Sequence, residues 1–160
     1  MRELEVVGVR IELPSNQPLV LLKEADGPRH LPIWIGAPEA SAIAMAQQGI
    51  ETPRPMTHDL LASVVESLGR RLVEARLVSV QDTVFYARLV FDGGVEVDSR
   101  ASDAVAMALR VHCPLTCAEE VLVEAGVMVS DDGTSSEGEE AELREFREFL
   151  ADVEPEDFEP

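Results

Sequence analysis

Between residues 3 and 13 apolar and polar positions alternate: Leu4, Val6 and Val9 stand among polar neighbours, and Ile11 and Leu13 follow beyond Arg10 and Glu12. A period of two predicts a half-buried strand, with a bulge at Gly8. After a turn over residues 14–18, the run at 19–22 is more continuous and therefore a more buried strand. Asp26-Gly27-Pro28 turns the chain into a third strand, residues 30–35, and two tight connections make antiparallel neighbours. The period then changes. Pro38 suits a first helical turn, where its missing N–H costs nothing. Residues 38–48 put Ala40, Ile43, Ala44 and Gln47 on one stripe with Ala42, Met45 and Ala46 beside it. Such a helix has little polar surface and belongs inside the protein or at a subunit contact. A second helix is predicted over residues 57–68, with Thr57 as N-cap, Asp59 at the positive helix start and Gly69 as left-handed cap. Its apolar face is Leu60, Leu61, Val64, Val65 and Leu68.

The same order of patterns returns. Strands are predicted over residues 71–80, 83–91 and 95–97, the last two joined by the hairpin signal Asp92-Gly93-Gly94. After the polar joint Asp98-Ser99-Arg100-Ala101-Ser102-Asp103 comes an Ala-rich helix, 104–111, ended by Pro114. A short helix over 118–125 stops at Gly126, and residues 127–129 end the core. A shift of about 62 residues lays Ala42–Ala46 over Ala104–Ala108, Ile33 and Ile35 over Val95 and Val97, and Glu39 and Ser41 over Ala101 and Asp103. The expectation is an α+β fold: a mostly antiparallel or mixed sheet packed with helices, built by internal duplication of a βββαα unit. It occupies residues 1–129. Residues 130–138 read as a flexible acidic linker. Residues 139–160 read as an acidic amphipathic tail helix, with Leu143, Phe146 and Leu150 on one side and Phe149 beside them.

Charge narrows the function. Of the net −18 carried by 160 residues, −11 falls in residues 130–160, where 13 acidic side chains face 2 basic ones. That field repels nucleic acid and anionic membrane at long range, so nucleic acid is a disfavoured partner unless a metal ion or a local Arg cluster reverses the field. No apolar run reaches membrane-spanning length and the N-terminus has no signal-peptide core, which predicts a cytoplasmic chain with no membrane contact. His112, Cys113 and Cys117 could hold a soft metal, but no fourth ligand stands near. Two small half-buried hydrophobes are the plainer account.

Phosphate loops, His-Glu-x-x-His and Gly-x-Ser-x-Gly are absent from the sequence. The candidate chemistry lies in polar clusters at helix starts: Glu39; Arg54, Thr57, His58 and Asp59; and Asp98, Arg100, Ser102 and Asp103. If the two halves bring these joints together, Glu39, Asp98 and Asp103 could hold Mg²⁺ or Mn²⁺. Asp98, Asp103, His58 and Asp59 would then be catalytic, with Arg54 and Arg100 on phosphate oxygens. Capping and dipole preference alone account for Thr57, Ser102, Asp59, Asp103 and Glu39, and are the plainer reading. His58 in a first helical turn is more often a surface or packing histidine than a ligand or base, and Trp34 reads as filling the core or an interface.

Leu-Pro-Ile-Trp-Ile-Gly, Pro-Arg-Pro-Met-Thr-His-Asp-Leu, Phe85-Tyr86-Ala87 and the long run from Asp98 to Arg110 together resemble the bifunctional nuclease domain family across residues 3–129. The departures are Ala101, where the family commonly has Pro, and Ser99 for Ala; neither removes a chemical group. The resemblance implies a compact, self-associating α+β domain, with a dimer as the first expectation, and DNase and RNase activity. The alternative is a non-catalytic regulatory or protein-interaction module whose acidic tail engages a protein partner or the domain's own basic cleft.

Overall fold

Residues 1–129, which the computed structural model describes, run β1 (Arg2–Glu12), β2 (Gln17–Glu24), β3 (Arg29–Trp34), α1 (Ala37–Gln47), α2 (Thr57–Ser67), β4 (Leu72–Gln81), β5 (Val84–Phe91), β6 (Glu96–Arg100), α3 (Ala101–Val111), β7 (Leu115–Cys117), α4 (Glu119–Ala125) and β8 (Val127–Met128). The expected linker and tail lie outside the described residues. The eight strands form one mixed sheet in the order β6-β5-β4-β7-β1-β2-β3-β8. Every neighbouring pair is antiparallel except β4 with β7, which is parallel. The chain therefore has the α+β architecture that its patterning predicts.

Two three-stranded meanders carry the symmetry. β1-β2-β3 leads into α1 and β4-β5-β6 leads into α3. The repeat is not held at one offset, however. Only α2 and α4 begin 62 residues apart, at Thr57 and Glu119; α1 and α3 begin at Ala37 and Ala101, 64 apart, and β1 and β4 at Arg2 and Leu72, 70 apart. Connections of unequal length absorb the drift. Glu39 therefore matches Asp103, both third in their helices, rather than Ala101. The second half also has β7, which cements the two meanders together and which the sequence patterning missed: three residues are too short for a period to register.

Local physics explains the joints. The bulge in β1 falls between Val6 and Gly8, and the amide of Gln47 at the end of α1 donates to the carbonyls of Val6 (3.3 Å) and Val7 (3.1 Å) there. Gly93 and Gly94 take positive φ of 76° and 80°, which the turn into β6 needs and other residues resist. Inside the sheet, Val20, Leu22, Leu31 and Leu77 are fully buried against Ile43 of α1, Val105 and Met107 of α3 and Leu122 of α4. Alanines at 40, 44, 101, 104 and 108 are buried too, and small side chains allow α1 and α3 to pack closely.

One expectation about α2 is corrected. Its N-cap is Met56, not Thr57, and Asp59 supplies the cap by accepting the Met56 N–H at 3.0 Å. Its apolar face is not buried: Leu60, Leu61, Val64 and Leu68 are all exposed, and no residue of α2 is fully buried. The helix leans on α3 through its His58, Asp59, Ala62 and Val65 side, so periodicity identified the helix but not which face meets the protein. Of the two places expected for Trp34, core or interface, the core is excluded. Ile33 and Ile35 point inward, so alternation sends Trp34 to the opposite face, where it is 47% exposed.

Candidate functional site

The sheet curls until the ends of β3 and β6, far apart in strand order, line one cleft of about 410 Å³. Trp34, Gly36 and Glu39 line it from the first half. Arg100 and Ser102 face them from the second, and Thr83, Val84 and Phe85 close it from the start of β5. Both helices begin here. Their unsatisfied N–H groups and dipoles add positive partial charge at this end of the molecule, where the carboxylates of Glu39 and Asp103 also lie.

Arg100, the last residue of β6, sits between the halves. Its Nη1 lies 2.9 Å from Glu39 Oε1, its Nε 2.9 Å from Asp103 Oδ2, and its Nη2 3.2 Å from Asp103 Oδ1. Asp103 Oδ1 also accepts from His58 Nε2 at 2.9 Å, because an ionised carboxylate can only accept. Burial opposes the charge on Asp103. Hydrogen bonds from Arg100 and His58 outweigh it and hold the carboxyl below its ordinary 3.8. The Arg100 guanidinium, bonded to Asp103 and then Glu39, is held above its ordinary value. Gly36 makes room for this arrangement: a methyl group there would overlap the Glu39 carboxylate.

A second link fixes α2 to α3. Arg110, with a side chain only 10% exposed, donates from Nε to Asp59 Oδ1 at 2.8 Å and from Nη1 to the Ala106 carbonyl at 3.3 Å. Asp59 is also held below its ordinary value, burial again being outweighed by the Met56 N–H and by Arg110. The structure thus joins Glu39, Arg100, Asp103 and His58 in one bonded network, with Asp59 anchored beside it. Arg54 and Asp98 lie outside that network among the described residues. Arg54 is in the exposed loop before α2, and Asp98 lies on the exposed part of β6 opposite Arg88. Arg110 was missed as a site residue, although its place seven residues after Asp103 puts both on one face of α3.

Mg²⁺ or Mn²⁺ would need several of these carboxylates turned toward one point. Glu39 and Asp103 both bind the Arg100 guanidinium, which takes the place a cation between them would need, and Asp98 stands apart. No three His, Cys, Asp or Glu side chains among the described residues group as metal ligands, His112, Cys113 and Cys117 included. As arranged, these residues do not fit a divalent ion. Cys113 and Cys117 are free thiols, each held above its ordinary value by burial, Cys117 at about 11.

Comparison with known proteins agrees with the motifs. The description "Bifunctional nuclease domain" matches residues 20–130. Two relatives from Mycobacterium tuberculosis are each 50% identical over 161 residues, covering 99% of this chain and 98% of theirs: the uncharacterized proteins MT1877 (strain CDC 1551 / Oshkosh) and Rv1829 (strain ATCC 25618 / H37Rv).

Proposed function

We propose, on the premise that this chain belongs to the bifunctional nuclease domain family, that its cleft binds and cleaves a phosphodiester of a nucleic-acid strand. The observation that supports this reading is Arg100: a 65% exposed guanidinium at two convergent helix starts, oriented by a carboxylate from each half of the fold. A guanidinium presents several donors, so Arg100 can offer free N–H groups to a phosphate while it holds Glu39 and Asp103. Trp34 and Phe85 beside it offer aromatic surface on which a base can stack. In this proposal Asp103 orients the His58 ring through Nε2, which leaves Nδ1 to take a proton from an attacking water; as the water oxygen bonds to phosphorus, the P–O bond to the leaving ester oxygen breaks and that oxygen takes its proton from solvent, following the logic of a carboxylate-held histidine base.

No step in this reading runs through a metal. Mg²⁺ or Mn²⁺, expected from the sequence, enters only as an arm of the test. The test is purified full-length protein with end-labelled RNA and single-stranded DNA, in Mg²⁺, in Mn²⁺ and in chelator, beside Arg100→Ala and His58→Asn. The reading expects cleavage that Arg100→Ala and His58→Asn each reduce by about 10²-fold or more, in line with the loss of one general base or one charge-stabilising donor. Cleavage unaffected by either substitution, or none in any condition, overturns it.

A further inference from the structure

We propose that the chain's own acidic segment, residues 139–160, docks in a groove beneath α2. The groove encloses about 760 Å³ between α2, the start of β4 and the end of α3. It is distinct from the cleft, and it exists because α2 rests on α3 by one side only. Its apolar lining includes Val65 and Met107; its basic lining is Arg70, Arg71, Arg110 and His112, against the single acid Glu66. Arg110 is committed to Asp59, whereas no ion pair to Arg70 or Arg71 is found among the described residues. Four basic groups on one groove are a marked local exception in a chain of net −18.

The occupant follows from complementarity. An amphipathic acid-rich segment fits an apolar floor with a basic rim, and residues 139–160 supply one: Leu143, Phe146, Phe149 and Leu150 recur at helical spacing among acidic neighbours. Reach also allows it. Residue 129 follows β8, which lies five strand spacings from β4, roughly 24 Å. Nine extended residues, 130–138, span about 30 Å. Both places are also at the ends of their strands away from the cleft: β8 pairs with Arg29 and His30, at the opposite end of β3 from Trp34, and the groove is at Leu72, at the opposite end of β4 from Thr83. This inference does not depend on the nuclease reading, and its test does not measure activity.

The groove contains its own reporter, because Cys113 lines it while Cys117 is fully buried. The rate of maleimide labelling of Cys113 is measured in the full chain, in a Leu143→Ser, Phe146→Ser, Phe149→Ser variant and in an Arg70→Glu, Arg71→Glu variant. Docking predicts labelling faster by about fivefold or more in both variants, and faster in the parent in about 0.5 M salt, where surface attraction is screened. It also predicts that Phe146→Cys in the full chain gives an intramolecular cross-link to Cys113 with a short bismaleimide. Equal rates in all three proteins, absence of that cross-link, or protection lost on dilution, which would assign the occupant to another copy, each overturn the proposal.

Discussion

Asp103 shows how much of this site rests on single side chains. Its carboxylate joins Arg100 to His58, and it is charged in spite of partial burial because those two bonds outweigh the desolvation. A carboxyl depressed in the folded state stabilises the fold at pH above its unfolded value and loses that contribution as pH falls through the folded value. Stability is therefore expected to stay level down to about pH 4 and to fall below it, and Asp103→Asn should flatten the fall. Urea unfolding at pH 6 and near pH 3 checks this; an unchanged acid limb in the variant contradicts it. Arg110 makes a different claim. Removing a mostly buried guanidinium leaves Asp59 without its partner and frees α2, so Arg110→Ala should cost about 1–3 kcal/mol. Arg110→Lys should recover part of that loss, because the charge returns without the fork. The sequence offered Glu39, His58, Asp59, Arg100 and Asp103 as candidates on chemistry alone. It could not separate them from Arg54 and Asp98, because only the curl of the sheet decides which polar joints meet.

At the scale of elements, patterning was a good guide wherever a face is buried and a poor one where it is not. The strands of both meanders, the Ala-rich helices, the bulge at Gly8 and the turn at Gly93 all follow from period and turn chemistry. α3 starts three residues earlier than its apolar run suggests, at Ala101, because β6 passes directly into it and Asp103 belongs to its first turn. α2 illustrates the limit: an apolar stripe predicts a helix, but not that the stripe will face the protein. Two consequences can be measured. Ala104 is fully buried in α3, which packs on α1, so Ala104→Leu should destabilise by about 1–3 kcal/mol through overpacking, read as a lowered urea midpoint. Thr83 takes φ of 67° in the β4–β5 turn, a conformation a β-branched residue resists, so Thr83→Asn should stabilise the fold by up to about 1 kcal/mol, read as a raised midpoint. A lowered midpoint in the Asn variant would mean that the Thr83 side chain packs in the cleft enough to outweigh the backbone strain.

For the molecule as a whole, the question is how a chain of net −18 could hold a polyanion. The proposed answer is a small footprint: one exposed guanidinium and two helix starts in a cleft of about 410 Å³, a size for one or two nucleotides rather than a length of duplex. Few phosphates are then neutralised, and affinity should depend only weakly on salt, with a log–log slope of roughly −0.7 per phosphate on single strands. A steep slope would point to a broader basic surface than these residues provide. Family membership fixes the fold and leaves the chemistry to be measured. Trp34 makes that measurement direct, because it is the only tryptophan in the chain and lies in the cleft wall. Its fluorescence is titrated with a short single-stranded oligonucleotide in chelator. A saturable change in emission, weakened about tenfold or more in Arg100→Ala, is the predicted result. Emission unmoved by the oligonucleotide, or moved equally in Arg100→Ala, would contradict the claim that the two helix starts form one phosphate-binding site.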